Sequence, residues 1–132
     1  MLVLTPAGGQ EVLNMISVPG GGYYTPHNWV IIKSYEENDV EKQNPYYRMV
    51  CSWDGGYVGS DYWQINSGIA RVEEHEDMPG RLKFYSRSGA CYDVYADHYR
   101  RTPTMGEVIG RLETYFNEEL VLEDCNWLEF EW

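Results

Sequence analysis

Hydrophobic and polar side chains alternate most regularly over residues 46–73, where three short runs are separated by glycine-containing turns. Successive side chains of a strand point to opposite faces of a sheet, so alternation with a period of two predicts a half-buried strand. Asp-Gly-Gly at 54–56 and Ser-Gly at 67–68 are typical of hairpin turns. The face predicted to enter the core in the first run carries Tyr47, Met49, Cys51 and Trp53. This stretch therefore predicts an antiparallel β-meander.

Further strands are predicted on both sides of these three runs. Trp29 to Tyr35 is an apolar run, and two later runs, 81–87 and 90–96, alternate again. Leu82 and Phe84 share the predicted core face of the first of these, and Ala90, Tyr92, Val94 and Ala96 share that of the second. If these two strands pair, the basic side chains of 81–87 face Asp93 across the ladder, which stabilises the pair.

A helix is predicted at 104–118, because apolar residues recur there with helical spacing. Thr104 and Glu107 have the spacing of a capping box, and Pro103 precedes them. We expect one apolar stripe of this helix to pack on the sheet. It consists of Val108, Ile109, Leu112, Tyr115 and Phe116.

These elements predict an α+β fold: an antiparallel meander of about five to seven strands with one amphipathic helix packed on a face. The length of 132 residues indicates a single domain. Within it, 1–28 is a loop-rich segment, 29–96 the meander, 104–118 the helix, and 119–132 an acidic tail that includes a possible edge strand.

The charge balance limits the partners of the chain. Twenty-one acidic residues face ten basic ones, so the net charge is −11. That charge repels nucleic-acid backbones and anionic membranes and favours a basic protein surface as the partner. The three cysteines, Cys51, Cys91 and Cys125, have no close pair, which is typical of a reducing compartment and predicts a cytoplasmic location.

The residue pattern predicts no catalytic residue, metal site or cofactor. Cys51 with His27, or Cys91 with His98, are the available thiol–imidazole pairs, but both cysteines fall within predicted strands, where cysteine is usually buried. His75 lies among carboxylates, yet adjacent residues of a tight loop rarely converge on one ion. The glycines at 20–22 lack the lysine that a phosphate-binding loop requires.

Acidic loops and exposed tyrosines predict a protein-binding surface. Two acidic loops and the acidic tail offer carboxylates to arginine or lysine side chains, and two tyrosines lie beside glycine turns, where rings tend to be exposed. The predicted contact residues are Glu36, Glu37, Asp39, Glu41, Tyr57, Tyr62, Glu73, Glu74, Glu76, Asp77, Glu118, Glu119, Glu123 and Asp124.

Three stretches resemble a group of small proteins encoded by bacteriophages and prophages. They are PGGGYYTPHNWVIIK at 19–33, SWDGGYVGSDYWQINSGIARVEE at 52–74 and FYSRSGACYDVYADHYR at 84–100. The group consists of short acidic proteins without assigned chemistry, so the resemblance implies no catalytic residue. It implies an accessory role, and inhibitors of host defence such as anti-CRISPR proteins are found among such accessory genes.

We therefore predict a non-enzymatic protein that binds and blocks a host protein surface, with its carboxylates standing in for nucleic-acid phosphates. One alternative is a small enzyme or ligand-binding domain with a pocket between helix and sheet. Another is a self-associating virion or scaffolding component. The oligomeric state stays open.

Overall fold

A computed structural model describes residues 2–4, 21–54 and 62–132, and within these ranges the strands form two four-stranded sheets. The strands are β1 (Leu2–Leu4), β2 (Tyr23–Tyr24), β3 (Asn28–Ser34), β4 (Tyr46–Trp53), β5 (Tyr62–Ile65), β6 (Ile69–Glu74), β7 (Arg81–Ser86) and β8 (Cys91–Tyr95). The first sheet has the order β1-β5-β4-β3 and is antiparallel. The second has the order β2-β8-β7-β6, in which only β2 and β8 run parallel.

The predicted α+β class is confirmed, and the meander is distributed over two sheets. The chain passes from one sheet to the other at Asn66, whose side-chain Oδ1 accepts hydrogen bonds from the N–H groups of Met49 (3.0 Å) and Gly68 (3.1 Å). Gly68 has φ +128°, a conformation that side chains other than hydrogen rarely allow. This turn redirects the chain, so β6 pairs with β7 instead of continuing beside β5.

The main core is shared by both sheets. Trp29, Ile31, Met49 and Cys51 come from the first sheet, and Leu82, Phe84, Tyr92 and Val94 come from the second. The predicted inward faces of β4, β7 and β8 are therefore confirmed. The ring of Trp29 lies 5.1 Å from that of Phe84, and its indole N–H donates to the carbonyl of Tyr95 at 2.8 Å.

The helix, α1 (Pro103–Phe116), packs on the opposite face of the first sheet. This second core consists of Val30, Ile32, Tyr35, Val50, Trp63, Ile65, Met105, Ile109 and Leu120. Strands β3 and β4 are consequently buried on both faces, which explains the unbroken apolar run at Val30-Ile31-Ile32.

The ends and the apolar stripe of the helix differ from the prediction. Its N-cap is Thr102, whose hydroxyl accepts from the N–H of Met105 at 3.3 Å, and Pro103 occupies the first helical position. Predicting Thr104 as the cap was wrong, because a proline one residue earlier already suits the first turn. Met105 is fully buried, whereas Tyr115, assigned to the stripe, is 74% exposed.

The segment after the helix closes the outer edge of β3. The N–H of Lys33 donates to the carbonyl of Leu120 (2.8 Å), and the N–H of Leu122 donates to that of Ile31 (2.9 Å). The predicted edge strand within 119–132 is thus a single bridge between Val121 and Ile32. A short 3-10 helix (Trp127–Glu129) follows, and Trp127, Phe130 and Trp132 pack against the main core.

Candidate acidic interface

The direction of α1 brings its last turn beside the loop that follows β3. At its beginning, the Arg100 side chain donates to Oδ1 of Asn28 at 2.6 Å, so the helix starts near the first residue of β3. At its end, the ring of Phe116 lies 5.4 Å from that of Tyr35, directly after β3. Loop 36–45 and the C-terminal end of α1 are therefore neighbours.

One hydrogen bond joins the loop to the helix, and two others within the loop stabilise its conformation. The ammonium group of Lys42 donates to the carbonyl oxygen of Phe116 at the end of the helix, where an orphan carbonyl favours a cation. The carboxylate of Asp39 accepts from the N–H groups of Gln43 (3.0 Å) and Asn44 (2.9 Å). The helix itself ends at Asn117, which adopts the left-handed conformation with φ +55°.

Carboxylates from the loop, the helix and the following segment meet on this side of the protein. We call this surface the acidic face, and it consists of Glu36, Glu37, Asp39, Glu41, Glu113, Glu118, Glu119 and Glu123. Lys33, Lys42, Arg48 and Arg101 are bases that lie beside it in the described part of the chain. Glu113 was not among the predicted contact residues. Its position three residues before the end of an amphipathic helix was the signal that could have identified it.

Part of the acidic face is engaged within the protein. Glu113 accepts from the N–H of Leu120 at 2.8 Å, and Glu118 lies 3.4 Å from the ammonium group of Lys33. The hydroxyl of Tyr35 and the charge of Lys33 lower the pKa of Glu118. Of the acidic-face carboxylates, four have neither an ion pair nor a side-chain hydrogen bond within the described part of the chain: Glu36, Glu37, Glu119 and Glu123.

A groove with apolar walls lies within the acidic face. Its volume is about 270 Å³, and it is lined by Tyr35, Glu36, Glu37, Asp39, Val40, Lys42, Tyr115 and Phe116. Val40 is 84% exposed and Tyr115 74% exposed. The Tyr115 and Phe116 rings meet edge to face with centroids 5.0 Å apart. We call this feature the Tyr115 groove.

The second predicted acidic loop lies at the other end of the molecule. Glu74 is the last residue of β6, and Glu76 and Asp77 lie in the turn that follows it. In this turn the Gly80 carbonyl accepts from the N–H of Ala96, beside the Tyr95 carbonyl that Trp29 contacts. Trp29 is the second residue of β3, so this turn lies near the beginning of β3, whereas loop 36–45 follows the end of β3. Seven strand residues span roughly 20 Å, so these loops do not form one surface.

Two of the acids near this second turn, Glu73 and Glu76, are paired with bases, whereas Glu74 and Asp77 have no such partner among the described residues. Glu76 lies 3.0 Å from the ammonium group of Lys83, and this hydrogen bond raises the pKa of Lys83. Glu73 accepts from the hydroxyl of Tyr85 and from Arg71, both at 2.8 Å. These two contacts lower the pKa of Glu73. This end of the protein therefore presents less uncompensated negative charge than the acidic face.

The remaining predicted contact residues are dispersed. Tyr62 is exposed and pairs with Trp53 at the end of β4, whereas loop 36–45 adjoins the beginning of β4 at Tyr46. Tyr62 therefore lies at the opposite end of β4 from this loop. Asp124 accepts from the indole N–H of Trp127 at 2.9 Å. Tyr57 lies outside the described residues.

The strongest cluster of buried charge surrounds Asp93, on the outward side of the second sheet. Arg81 donates to its carboxylate at 2.6 Å, as the predicted cross-strand pairing required, and Tyr23 and His75 contact the other oxygen. The hydrogen bond to Asp93 raises the pKa of Tyr23 to about 12. Burial lowers the pKa of Arg81, but the hydrogen bond and charge of Asp93 outweigh it and the net shift is upward. A cavity of about 350 Å³ adjoins His75 and Arg81.

The thiol–imidazole pairs are not arranged for nucleophilic chemistry. Cys51 and Cys91 are buried, and burial raises the pKa of each thiol, which disfavours the reactive thiolate. His27 accepts from the N–H of Asp54 at 2.7 Å, and His98 contacts the carbonyl of His27 at 3.1 Å. Within the described ranges, no group of three or more histidine, cysteine or carboxylate side chains is placed to hold a metal ion.

Comparison with known proteins found no matching family model, no matching curated protein and no matching solved structure. The described part of the chain contains no helix of the length and apolar character that a bilayer crossing requires.

Proposed function

We propose that this protein binds a basic surface of a partner protein through its acidic face and thereby blocks that surface. The observation that carries the proposal is the meeting of loop 36–45 with the end of α1, which brings Glu36 and Glu37 near Glu119, while Glu123 lies further along the segment beside β3. None of these four carboxylates has an ion pair among the described residues. Carboxylates arranged in this way attract basic partners and accelerate their association.

The resemblance to phage accessory proteins makes a host protein the expected partner. A nucleic-acid-binding site suits the acidic face best, because such a site already presents arginines and lysines spaced for phosphates. Blocking that site is the mode of action we propose, and inhibition of a host defence protein is one biological setting for it.

The alternative of a ligand pocket between helix and sheet has little support in the described residues. Met105 and Ile109 fill that space from the helix and are fully buried, and Ile32 and Val50 meet them from the sheet. An interface packed in this way leaves no room for a substrate.

The test compares the wild-type protein with two variants of equal net charge. One variant carries Glu36→Gln, Glu37→Gln, Glu119→Gln and Glu123→Gln on the acidic face. The control carries Glu74→Gln, Asp77→Asn, Glu129→Gln and Glu131→Gln, four exposed acids outside it. Each tagged protein is used to capture binding proteins from a bacterial lysate at low and at high salt, and the affinity of the recovered partner is then measured.

We expect the acidic-face variant to lose affinity about tenfold or more, the control to stay near wild type, and high salt to weaken the wild-type complex. Size-exclusion chromatography of the wild-type protein alone tests the self-association alternative. A partner that survives high salt, or that both variants bind equally well, contradicts the proposal.

A further inference from the structure

We infer that the Tyr115 groove binds an arginine side chain of the partner, in preference to lysine. This inference rests on the proposed function and specifies the residue that the acidic face recognises. Drug-sized ligands occupy pockets of roughly 300–1,000 Å³. At about 270 Å³ the groove is below that range, so one inserted side chain suits it better than a separate small molecule.

The charges around the groove favour a cation. Glu36 and Glu37 line it without an ion pair among the described residues, and the C-terminal end of α1 adds the negative end of the helix dipole. Lys42 already donates its ammonium group to the carbonyl of Phe116. The ammonium group of Lys42 is therefore already bound at the helix end of the groove. Glu36 and Glu37 have no ion pair with a base among the described residues.

The walls favour arginine over lysine. Tyr115 exposes most of its ring, and Val40 offers an apolar surface for the methylene groups of a long side chain. A guanidinium group is planar, stacks on aromatic rings and donates to two carboxylate oxygens at once, whereas an ammonium group is a compact and strongly hydrated point charge. The Tyr115 ring together with the carboxylates of Glu36 and Glu37 therefore suits a guanidinium group.

The protein uses the same combination internally. In the described residues, arginine guanidinium groups lie 3.8, 4.1 and 4.6 Å from tyrosine ring centroids in the pairs Arg71–Tyr85, Arg81–Tyr95 and Arg87–Tyr46. In the first two pairs a carboxylate, that of Glu73 or Asp93, also binds the guanidinium group. The Tyr115 groove supplies the tyrosine and the carboxylates, and the partner supplies the arginine.

Two labelled peptides test this inference: an oligo-arginine and an oligo-lysine of equal length and charge, titrated at low salt with fluorescence anisotropy as the readout. The proteins are wild type, the fourfold acidic-face variant described above, Tyr115→Ala, Tyr115→Phe and Tyr62→Ala. Tyr62 is the control because it is also exposed but lies at the far end of β4. Since Tyr115 is exposed, its replacement leaves the fold intact, which circular dichroism verifies.

We expect wild type to bind the arginine peptide about fivefold more tightly than the lysine peptide, the value of one cation–π contact. Tyr115→Ala abolishes this preference, while Tyr115→Phe and Tyr62→Ala retain it. Two results overturn the arginine inference: wild type binds both peptides with equal affinity, or Tyr115→Ala keeps the preference for arginine. The proposed function still stands in either case if the acidic-face variant binds both peptides more weakly than wild type does. Failure of wild type to bind either peptide overturns the inference and the proposed function together.

Discussion

Nε of Arg81 lies 2.6 Å from Oδ1 of Asp93, and both side chains are buried on the side of the second sheet that faces away from the core. Strand pairing places them close together, since Arg81 is opposite Tyr95 and Lys83 is opposite Asp93. A buried ion pair balances a desolvation cost against attraction, so its two members depend strongly on each other.

Removing one member of this pair should therefore cost more than removing both. We expect Asp93→Asn to lower the free energy of unfolding by about 3 kcal/mol, because it leaves the Arg81 charge buried without its counterion. Adding Arg81→Met should recover part of that loss. Arg111→Met, which breaks an exposed helix pair with Glu107, should change stability by less than about 0.5 kcal/mol. Urea denaturation measures the wild type, Asp93→Asn, Arg81→Met, the double variant and Arg111→Met, and strictly additive losses in the double variant contradict the dependence.

The Glu73 carboxylate should contribute to pH dependence at acid pH. Its pKa lies below the ordinary value of 4.5 because Tyr85 and Arg71 donate hydrogen bonds to it. A lowered pKa in the folded state means that the stabilisation is present above pH 4.5 and is lost as the pH falls through the folded-state value. Tyr85→Phe should move the pKa of Glu73 upward in an NMR titration of the carboxyl carbon. An unchanged pKa in that variant contradicts the assignment of the cause.

The hydroxyl of Tyr99 should hold the segment after the helix against β3. It accepts from the N–H of Ile31 at 3.1 Å and donates to the carbonyl of Leu122 at 2.6 Å. Tyr99→Phe leaves both groups without this partner, and we expect a loss of about 1–3 kcal/mol with faster hydrogen exchange at residues 120–122. Tyr115→Phe removes an exposed hydroxyl and serves as the control. Equal stability of the two variants would refute the proposed role.

Two glycines should respond to alanine in opposite directions. A methyl group at Gly106 in α1 meets no atom within 4 Å, so Gly106→Ala should stabilise the protein by about 0.5–1 kcal/mol. At Gly21 the backbone has φ +79°, and a methyl group would lie 2.2 Å from the carbonyl oxygen of Gly89. Gly21→Ala should therefore destabilise by more than about 1 kcal/mol. Thermal unfolding compares them, and a shift in the same direction for both disproves the distinction.

Patterns within a single element predicted much of this fold. Alternation along β7 and β8 identified Phe84 and Tyr92 as core residues and brought the basic side chains of β7 to Asp93, because the period of a strand determines which face a residue occupies. The helix was predicted in the same way from its own period, because apolar residues recur there with helical spacing. Its true cap at Thr102 was missed because Pro103 occupies the first helical position. The exposure of Tyr115 was missed because it depends on where the last helical turn meets Tyr35.

The candidate site required the tertiary structure. Acidic residues were predicted at several places, but only strand register and helix direction show that Glu36 and Glu119 share one side while Glu74 lies at the other end of β3. The groove beside Tyr115 arises because the last helical turn packs against Tyr35 and Lys42. The hydrophobic periodicity of a single helix or strand does not show which other segments it will contact.

By itself, the sequence determined the acidic balance, the class of fold and the inward face of most strands, because charge and periodicity are properties of the chain at short range. The tertiary structure decided that the strands divide into two sheets at Asn66 and that carboxylates from three separate segments form one face. Those decisions follow from contacts between residues far apart in the chain, such as Tyr35 with Phe116, whose energies depend on packing in three dimensions.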